Sequence, residues 1–203
     1  MEYFPYPHPL ETERLILRPM TEQDAPRFHE IFDGEPKVWE FDPGLPCKPE
    51  ERRMWTLRHA MEPDMASGRS GLFGRSVVRK EDGLVIGAAG ICPLTVPGGW
   101  EQGKPQAGAT LEPTLFYQMG LEYWGQGYMT EACRRLLDFA LNELRLPRVL
   151  CGTQRRNVHA VRLMERLGFL PALFPAPSNF WGREPVCGVI TAEVWKNQSA
   201  SVT

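Results

Sequence analysis

The segment at residues 119–144 constrains the fold of this chain more than any other part of its sequence. A candidate strand at residues 111–119 ends there, Gly125 and Gly127 follow, and a helical pattern then runs to about residue 144. The apolar residues of that pattern recur at helical spacing, at Met129, Cys133, Leu136, Leu137, Ala140 and Leu144. A strand, a tight turn and an amphipathic helix in succession predict a mixed α/β (α+β) domain.

Shorter patterns along the rest of the chain mix strands and helices without an internal repeat. Alternating or β-rich runs predict strands at residues 10–19, 72–79, 84–91, 148–151, 169–174 and 186–194, and the last of these allows a turn into helix before Trp195. Helical spacing and capping residues predict helices that begin at Thr21, at residue 49 and at Asn157, while residues 33–49 form a loop. We expect one domain over residues 1–203, with a flexible N-terminal extension at 1–9, a long Gly/Pro-rich loop or hairpin at 93–108 and a flexible tail at 197–203.

Composition excludes several classes of protein. The 203 residues carry a formal net charge of −2, and 42% of them are hydrophobic. This balance gives no basic patch for nucleic acid, and no apolar run approaches the roughly 20 residues that cross a bilayer. The N-terminal residues lack the pattern of an export signal, so we expect a cytoplasmic protein with no membrane partner. The five cysteines are scattered and never form Cys-x-x-Cys, which argues for free thiols and against a metal site.

The two glycines before the long helix have a physical interpretation of their own. Without a Cβ, Gly125 and Gly127 let backbone N–H groups approach a ligand closely. The first turn of the following helix adds unpaired N–H groups and a partial positive charge. The arrangement suits a phosphate or pyrophosphate, although it lacks the lysine of a P-loop and the third glycine of a dinucleotide fingerprint. Such glycines serve tight turns more often than anions, so both interpretations stay open at this point.

Four segments together resemble one known family. Tyr-Trp-Gly-Gln-Gly-Tyr-Met-Thr-Glu-Ala at residues 123–132 resembles the acetyl-CoA signature of the GNAT superfamily of N-acetyltransferases. The closest branch includes the ribosomal-protein N-terminal acetyltransferases. Residues 10–19 look like the first strand of that branch, residues 157–169 like its second cofactor motif, and residues 191–195 like its usual ending. The two cofactor motifs are specific in combination, and the other two segments support them.

This resemblance implies a fold and a cofactor. The fold is a twisted, mostly antiparallel sheet of about seven strands, splayed at its centre, with about four flanking helices and acetyl-CoA in the gap. The strand at residues 111–119 would pair with the pantetheine arm, Asn157 would bond to that arm, and the turn would hold the pyrophosphate through backbone N–H groups. The cofactor-binding residues implied in this way are Met119, Trp124, Gly125, Gln126, Gly127, Tyr128, Met129, Thr130, Asn157, Ala160, Leu163 and Met164.

The reaction implied by the resemblance is direct transfer of an acetyl group from the CoA sulfur to a neutral amine. A base or a water chain takes the amine proton, and a backbone N–H, expected at Met119, stabilises the oxyanion. Many members place a tyrosine acid where this chain has Met164, which cannot donate a proton, and Tyr117 and Tyr123 are the candidates to replace it. The candidate bases are Glu112, Glu40, Asp42 and His159.

Two further residues depart from the family pattern. Glu122 stands where the signature usually has Gln or Arg, and we expect its carboxylate to point to solvent. Phe116 stands on the cofactor strand where relatives often have Gly. With Glu122, this chain lacks the cationic contact to the pyrophosphate that an arginine at this position could offer in other members, and it places a carboxylate near the phosphates instead.

The acceptor amine is left open by the sequence. Trp39 and Phe41 lie in a region that borders the acceptor site in relatives, so they are candidate substrate-wall residues. A protein N-terminus, an aminoglycoside, a polyamine, an amino acid or another small amine would fit the chemistry. Two other functions also stay open: a CoA-binding sensor or scaffold without catalysis, and a nucleotide-phosphate module of another kind. We expect a monomer or a homodimer.

Overall fold

The computed structural model describes residues 8–42, 46–65, 74–97, 109–172 and 184–200. The strands in these ranges are β1 (Leu10–Glu11), β2 (Leu15–Pro19), β3 (Gly74–Arg79), β4 (Val85–Pro97), β5 (Ala109–Met119), β6 (Arg148–Gln154), β7 (Leu170–Ala172) and β8 (Pro185–Thr191). The helices are α1 (Ala25–Phe28), α2 (Pro36–Trp39), α3 (Pro49–Met65), α4 (Tyr128–Asp138), α5 (Val158–Leu167) and α6 (Ala192–Ala200).

The strands form one mostly antiparallel sheet in the order β1-β2-β3-β4-β5-β6-β8-β7. The β5–β6 pair is parallel, with Thr114 opposite Leu150. The mixed α/β fold class is therefore confirmed, although the described ranges contain eight strands and six helices instead of about seven and four. The additional elements are β1 and α2, which have two and four residues and are too short for a periodic pattern to reveal, and α6, which directly follows the last strand.

The chain divides into two compact units, of which the first comprises Met1–Ile91 and Phe116–Leu136. Its core contains Phe28 and Phe32, whose rings stack at 5.3 Å, and Trp55 of α3 meets Phe28 edge-on. Phe116 of β5 joins this core by packing edge-on against Trp55. The large side chain at position 116 therefore packs against α3 as part of this core.

A close approach of β4 to β5 positions the end of β5. A Cβ at Gly87 would lie 2.6 Å from the Gln118 carbonyl oxygen, so only glycine allows the two backbones this separation. The Gly120 N–H then donates to the Ile86 carbonyl at 3.1 Å. These contacts fix the point at which the chain leaves β5 and enters the turn before α4.

The second unit comprises Cys92–Leu115 and Leu137–Thr203. Strands β6 and β8 pair over their full lengths, from Arg148↔Thr191 to Gln154↔Pro185, and β7 pairs with the other edge of β8. Helix α5 follows β6 and ends at Gly168, whose φ of 79° is the left-handed conformation predicted for a helix C-cap.

The C-terminal part of the second unit differs from the sequence prediction. The last strand was predicted over residues 186–194 with a turn into helix allowed before Trp195. The strand ends at Thr191, whose Oγ1 accepts a hydrogen bond from the Val194 N–H, and the helix begins at Ala192. Residues 197–200, predicted as a flexible tail, continue that helix. A β-rich run directly followed by a helix without Gly or Pro gives no local signal for the boundary.

Two stretches predicted as loops also contain regular structure. Helix α2 lies within the loop expected at residues 33–49, and Glu35 caps it by accepting from the Lys37 N–H at 3.1 Å. Strand β4 continues to Pro97, so that residues 93–97 of the expected loop or hairpin are extended. Residues 98–108 of that segment lie outside the described residues.

Candidate active site

The turn between β5 and α4 has the backbone geometry of an anion-binding loop. After a short 3₁₀ turn at Leu121–Tyr123, the Trp124 indole Nε1 donates to the Met119 carbonyl at 2.8 Å and folds the turn against the end of β5. Gly125 and Gly127 then adopt φ values of 76° and 83°, which lie in the left-handed region that favours glycine. The two glycines singled out in the sequence are thus required by the backbone itself.

Helix α4 begins directly after this turn and presents there the first N–H groups of the helix, which have no partner within the helix. The first bond of the helix runs from the Glu131 N–H to the Gly127 carbonyl at 3.1 Å, so the N–H groups of residues 128–130 lie ahead of the helical ladder. No described atom lies within 4 Å of a Cβ built at Gly125, which leaves the turn open on that side. Open space, these donors and the helix dipole together suit a phosphate group.

Arg14 and Glu131 brace the turn, and the sequence prediction missed both of them. Arg14 Nη1 donates to the Gln126 carbonyl at 3.1 Å, and its Nε donates to the Glu131 carboxylate at 2.7 Å. The guanidinium carbon lies 4.4 Å from the centre of the Tyr128 ring. Because 117 positions separate Arg14 from Glu131, a single sequence carries no signal for this contact.

Glu122 is exposed, as predicted, and it is also paired with a cation. Its Oε1 accepts from Arg27 Nη2 at 3.0 Å, while the same nitrogen donates to the Tyr123 hydroxyl at 2.8 Å. Burial, followed by the hydrogen bond with Glu122, raises the pKa of Tyr123. Arg27 therefore partly neutralises the carboxylate that departs from the family pattern, and the buried Tyr123 is a poorer proton donor.

In the second unit, Asn157 caps the helix that carries the other implied cofactor residues. Its Oδ1 accepts from the Ala160 N–H at 3.2 Å, so the capping role proposed for it is confirmed. Ala160, Leu163 and Met164 are all buried along one face of α5. The Met164 methyl lies 3.0 Å from the position that a Cβ would take at Gly188 of β8.

Glu112 is a buried partner in an ion pair. Its two carboxylate oxygens accept from Nε and Nη2 of Arg148 at 2.9 and 2.7 Å. Burial is the largest influence on the pKa of Glu112 and would raise it. The hydrogen bonds with Arg148 and Thr110 and the charge of Arg148 together outweigh burial and hold the pKa below the usual glutamate value. A carboxylate of lowered pKa is a weak base, so this geometry argues against the role of general base that the sequence allowed.

The remaining candidates lie in varied surroundings. Tyr117 of β5 is half-buried, Met119 is buried, and Glu40, Asp42 and His159 are exposed. Trp39 and Phe41 are half-buried, and the Trp39 indole Nε1 is buried without a hydrogen-bond partner among the described residues.

Across the described ranges, no group of three or more His, Cys, Asp or Glu residues could hold a metal ion, and no helix is long and apolar enough to cross a membrane.

Comparison with known proteins decides the family. The family described as the acetyltransferase (GNAT) domain matches residues 14–170, which include the turn, α4 and α5. The chain belongs to the GNAT acetyltransferases. Among curated relatives of this acetyltransferase, the "Uncharacterized N-acetyltransferase p20" of Bacillus licheniformis is 26% identical over 79% of this chain and 81% of its own length.

Solved structures share the fold of this acetyltransferase at low identity. A GNAT-family acetyltransferase from Bacillus anthracis superposes with a TM-score of 0.71 at 16% identity, covering 92% of this chain and 99% of that chain. A ribosomal-protein-S5-alanine acetyltransferase from Vibrio fischeri superposes with a TM-score of 0.64 at 17% identity, covering 93% of this chain and 99% of that chain. A spermidine N-acetyltransferase chimera from Vibrio cholerae and hSSAT superposes with a TM-score of 0.65 at 16% identity, covering 91% of this chain and 99% of that chain.

Proposed function

We propose that this acetyltransferase moves the acetyl group of acetyl-CoA to a primary amine by direct attack within a ternary complex. The amine nitrogen bonds to the thioester carbonyl carbon, the C–S bond breaks, and CoA leaves as a thiolate that takes up a proton. A primary alkylamine has a pKa of about 10 and is mostly protonated near neutral pH, so its nitrogen must lose a proton before attack.

The observation that carries this proposal is the geometry of residues 124–130. Two glycines in the left-handed region open the turn, and helix α4 offers its first N–H groups beside them. The pyrophosphate of acetyl-CoA carries the negative charge that such a site stabilises. Trp124, Gln126, Tyr128, Met129 and Thr130 complete the segment, mainly through their backbone.

In this proposal, residues of helix α5 contact the pantetheine arm and the thioester. Asn157 uses its side chain both to cap α5 and to bond to the pantetheine, while Ala160, Leu163 and Met164 form an apolar wall. The backbone N–H of Met119 donates to the oxyanion of the tetrahedral intermediate. Tyr117 is the proposed donor to the leaving thiolate.

Proton removal from the amine is assigned to an exposed group or to water. Glu112 is held by Arg148, which leaves Glu40, Asp42 and His159 as side-chain candidates. Since correct placement of two reactants supplies much of the rate in such transfers, a weak base or a water chain suffices.

The acceptor class does not follow from the fold. One similar structure is named for a ribosomal-protein alanine and another for spermidine, and both cover more than 90% of this chain at nearly the same TM-score. We propose either a protein N-terminus or a small amine as acceptor, with Trp39 and Phe41 forming part of the wall beside it. The buried indole N–H of Trp39 can donate to an acceptor oxygen.

A mass-spectrometric assay tests the proposal. The purified protein is incubated with acetyl-CoA and a panel of peptides, polyamines, aminoglycosides and amino acids, and both products are quantified. We expect equimolar CoA and acetylated amine for at least one acceptor class. Binding of acetyl-CoA without transfer to any amine would favour the sensor alternative. Thermal protection by ATP or NAD but not by acetyl-CoA would instead indicate a nucleotide-phosphate module.

A further inference from the structure

We propose that Arg14 is a positioning residue that holds the pyrophosphate turn in its binding conformation. This inference rests on the proposed function, since it assumes that the turn binds the pyrophosphate of acetyl-CoA. Arg14 acts together with Thr12 and Glu131, and these three residues are called the Arg14 clamp. All three lie in the first unit, as does the turn.

Arg14 reaches three different parts of the turn and of helix α4. Its Nη1 donates to the Gln126 carbonyl at 3.1 Å, and its guanidinium carbon lies over the Tyr128 ring, 4.4 Å from the ring centre. Its Nε and Nη2 both lie 2.7 Å from Oε2 of Glu131, on the first turns of α4. One side chain therefore ties the carbonyl between the two glycines to the helix that follows them.

Glu131 connects the clamp to the segment that precedes β2. Its Oε1 accepts from the Thr12 hydroxyl at 2.5 Å and from the Arg14 N–H at 2.9 Å. Burial alone would raise the pKa of Glu131, but the hydrogen bonds from Thr12 and Arg14 hold the pKa below its usual range. Glu131 is therefore ionised at neutral pH, and the clamp joins the segment before β2 to α4 through a charged network.

The charge balance of the clamp favours positioning over direct contact with phosphate. Glu131 neutralises the positive charge of Arg14, and the guanidinium already donates to Gln126 and Glu131. A guanidinium has a planar fork that can hold two partners at once, whereas an ammonium is a point donor. The clamp thus depends on the shape of arginine and not on its charge alone.

The turn benefits from such a clamp because of its glycines. Gly125 and Gly127 lose more conformational freedom on ordering than other residues would, and a ligand that orders a loose turn loses affinity. By holding the Gln126 carbonyl away from the pyrophosphate, Arg14 keeps the N–H groups of the turn oriented before acetyl-CoA arrives. Loss of Arg14 should therefore weaken binding of donors that carry a pyrophosphate, by roughly tenfold.

A comparison of two acyl donors tests this inference. Arg14→Met and Arg14→Lys are assayed with acetyl-CoA and with S-acetyl-pantetheine, which lacks the pyrophosphate and the nucleotide. Arg53→Met is the matched control, because it removes an exposed arginine paired only with Glu22 among its described ion pairs. For Arg14→Met we expect a roughly tenfold higher KM for acetyl-CoA with kcat unchanged, and unchanged kinetics with S-acetyl-pantetheine.

The two Arg14 variants and calorimetry separate the outcomes. We expect Arg14→Lys to resemble Arg14→Met, so full recovery by lysine would overturn the inference in favour of direct charge contact. Equal losses with both donors would overturn it in favour of a general structural role. If the wild type transfers no acetyl group, the proposed function fails. Calorimetric titration of CoA and of pantetheine into the wild type and into Arg14→Met still decides the role of Arg14. If the wild type binds no CoA, both proposals fail.

Discussion

Glu112 and Arg148 form a two-pronged ion pair at the start of the parallel β5–β6 ladder. Each residue lies two positions before the paired Thr114 and Leu150, so both side chains project from the same face of the sheet. The Glu112 side chain is only 4% exposed, and both of its oxygens accept from the guanidinium. The pair therefore stabilises the ladder, which explains a buried carboxylate that could otherwise be taken for a catalytic base.

Replacement of Glu112 by glutamine should reduce stability without abolishing catalysis. The variant keeps the shape of the side chain but loses the charge, and a hydrogen bond to a charged group is worth about 1.5–3 kcal/mol against about 0.5–1.5 kcal/mol for a neutral one. We expect the free energy of unfolding in urea to fall by roughly 1–3 kcal/mol, with kcat changed less than about threefold. A fall in kcat of about a hundredfold with unchanged stability would identify Glu112 as the base after all.

The same pair predicts how stability depends on pH. Because the folded pKa of Glu112 is lowered, its contribution is present above the unfolded pKa of about 4.3 and is lost as pH falls through the folded pKa. The difference in unfolding free energy between wild type and Glu112→Gln should be constant above about pH 5 and shrink below about pH 4. Urea titrations across this range measure it, and a difference that grows in acid would contradict the lowered pKa.

Cys187 should be inert in the folded protein. Burial raises the pKa of its thiol to about 12, and β8 holds it between Gly152 of β6 and Ala172 of β7. At about pH 8 the native protein should not be alkylated at Cys187 by iodoacetamide, whereas the protein unfolded in urea should be. Peptide mapping by mass spectrometry measures both, and rapid native labelling of Cys187 would show that β8 is not packed as described.

Asn157 allows its two proposed roles to be separated. Serine also caps helices well, so Asn157→Ser should keep the melting temperature near that of wild type, whereas Asn157→Ala should lose about 1 kcal/mol of stability. Both variants lose the amide that we propose bonds to pantetheine, so both should raise the KM for acetyl-CoA. A wild-type KM in Asn157→Ser would leave Asn157 as a helix cap alone.

Local signals in the sequence were sufficient to predict the glycine turn and both ends of helix α5. Gly125, Gly127 and Gly168 each occupy the left-handed region, and Asn157 caps α5, because short-range backbone geometry selects these residue types. The glycine turn and the start of α4 were predicted in this way, and so was the end of α5.

Contacts between distant residues could not be predicted. Arg14 meets Glu131 across 117 positions and Arg148 meets Glu112 across 36, and a charged residue in one sequence does not name its partner. Glu112 was consequently considered as a free carboxylate, and Arg14 was overlooked. A change from strand to helix before Trp195 was allowed, but the boundary between β8 and α6 lies earlier, at Thr191, because the capping contact of Thr191 with Val194 depends on where the strand ends.

The turn at residues 124–130 is proposed to bind the pyrophosphate of acetyl-CoA, and a matched pair of glycine variants tests this binding most directly. Gly125 and Gly83 have φ values of 76° and 72°, and neither has a described atom within 4 Å of an added Cβ. Gly125→Val and Gly83→Val should therefore incur a similar strain of about 1–2 kcal/mol, but only Gly125→Val places a side chain where the pyrophosphate would lie.

Isothermal titration calorimetry with CoA compares the wild type with these two variants. We predict that the wild type and Gly83→Val bind CoA with similar Kd values and that Gly125→Val binds at least about a hundredfold more weakly, a loss of about 2.7 kcal/mol. Binding of CoA by a folded Gly125→Val protein with the affinity of the wild type would contradict the assignment of this turn.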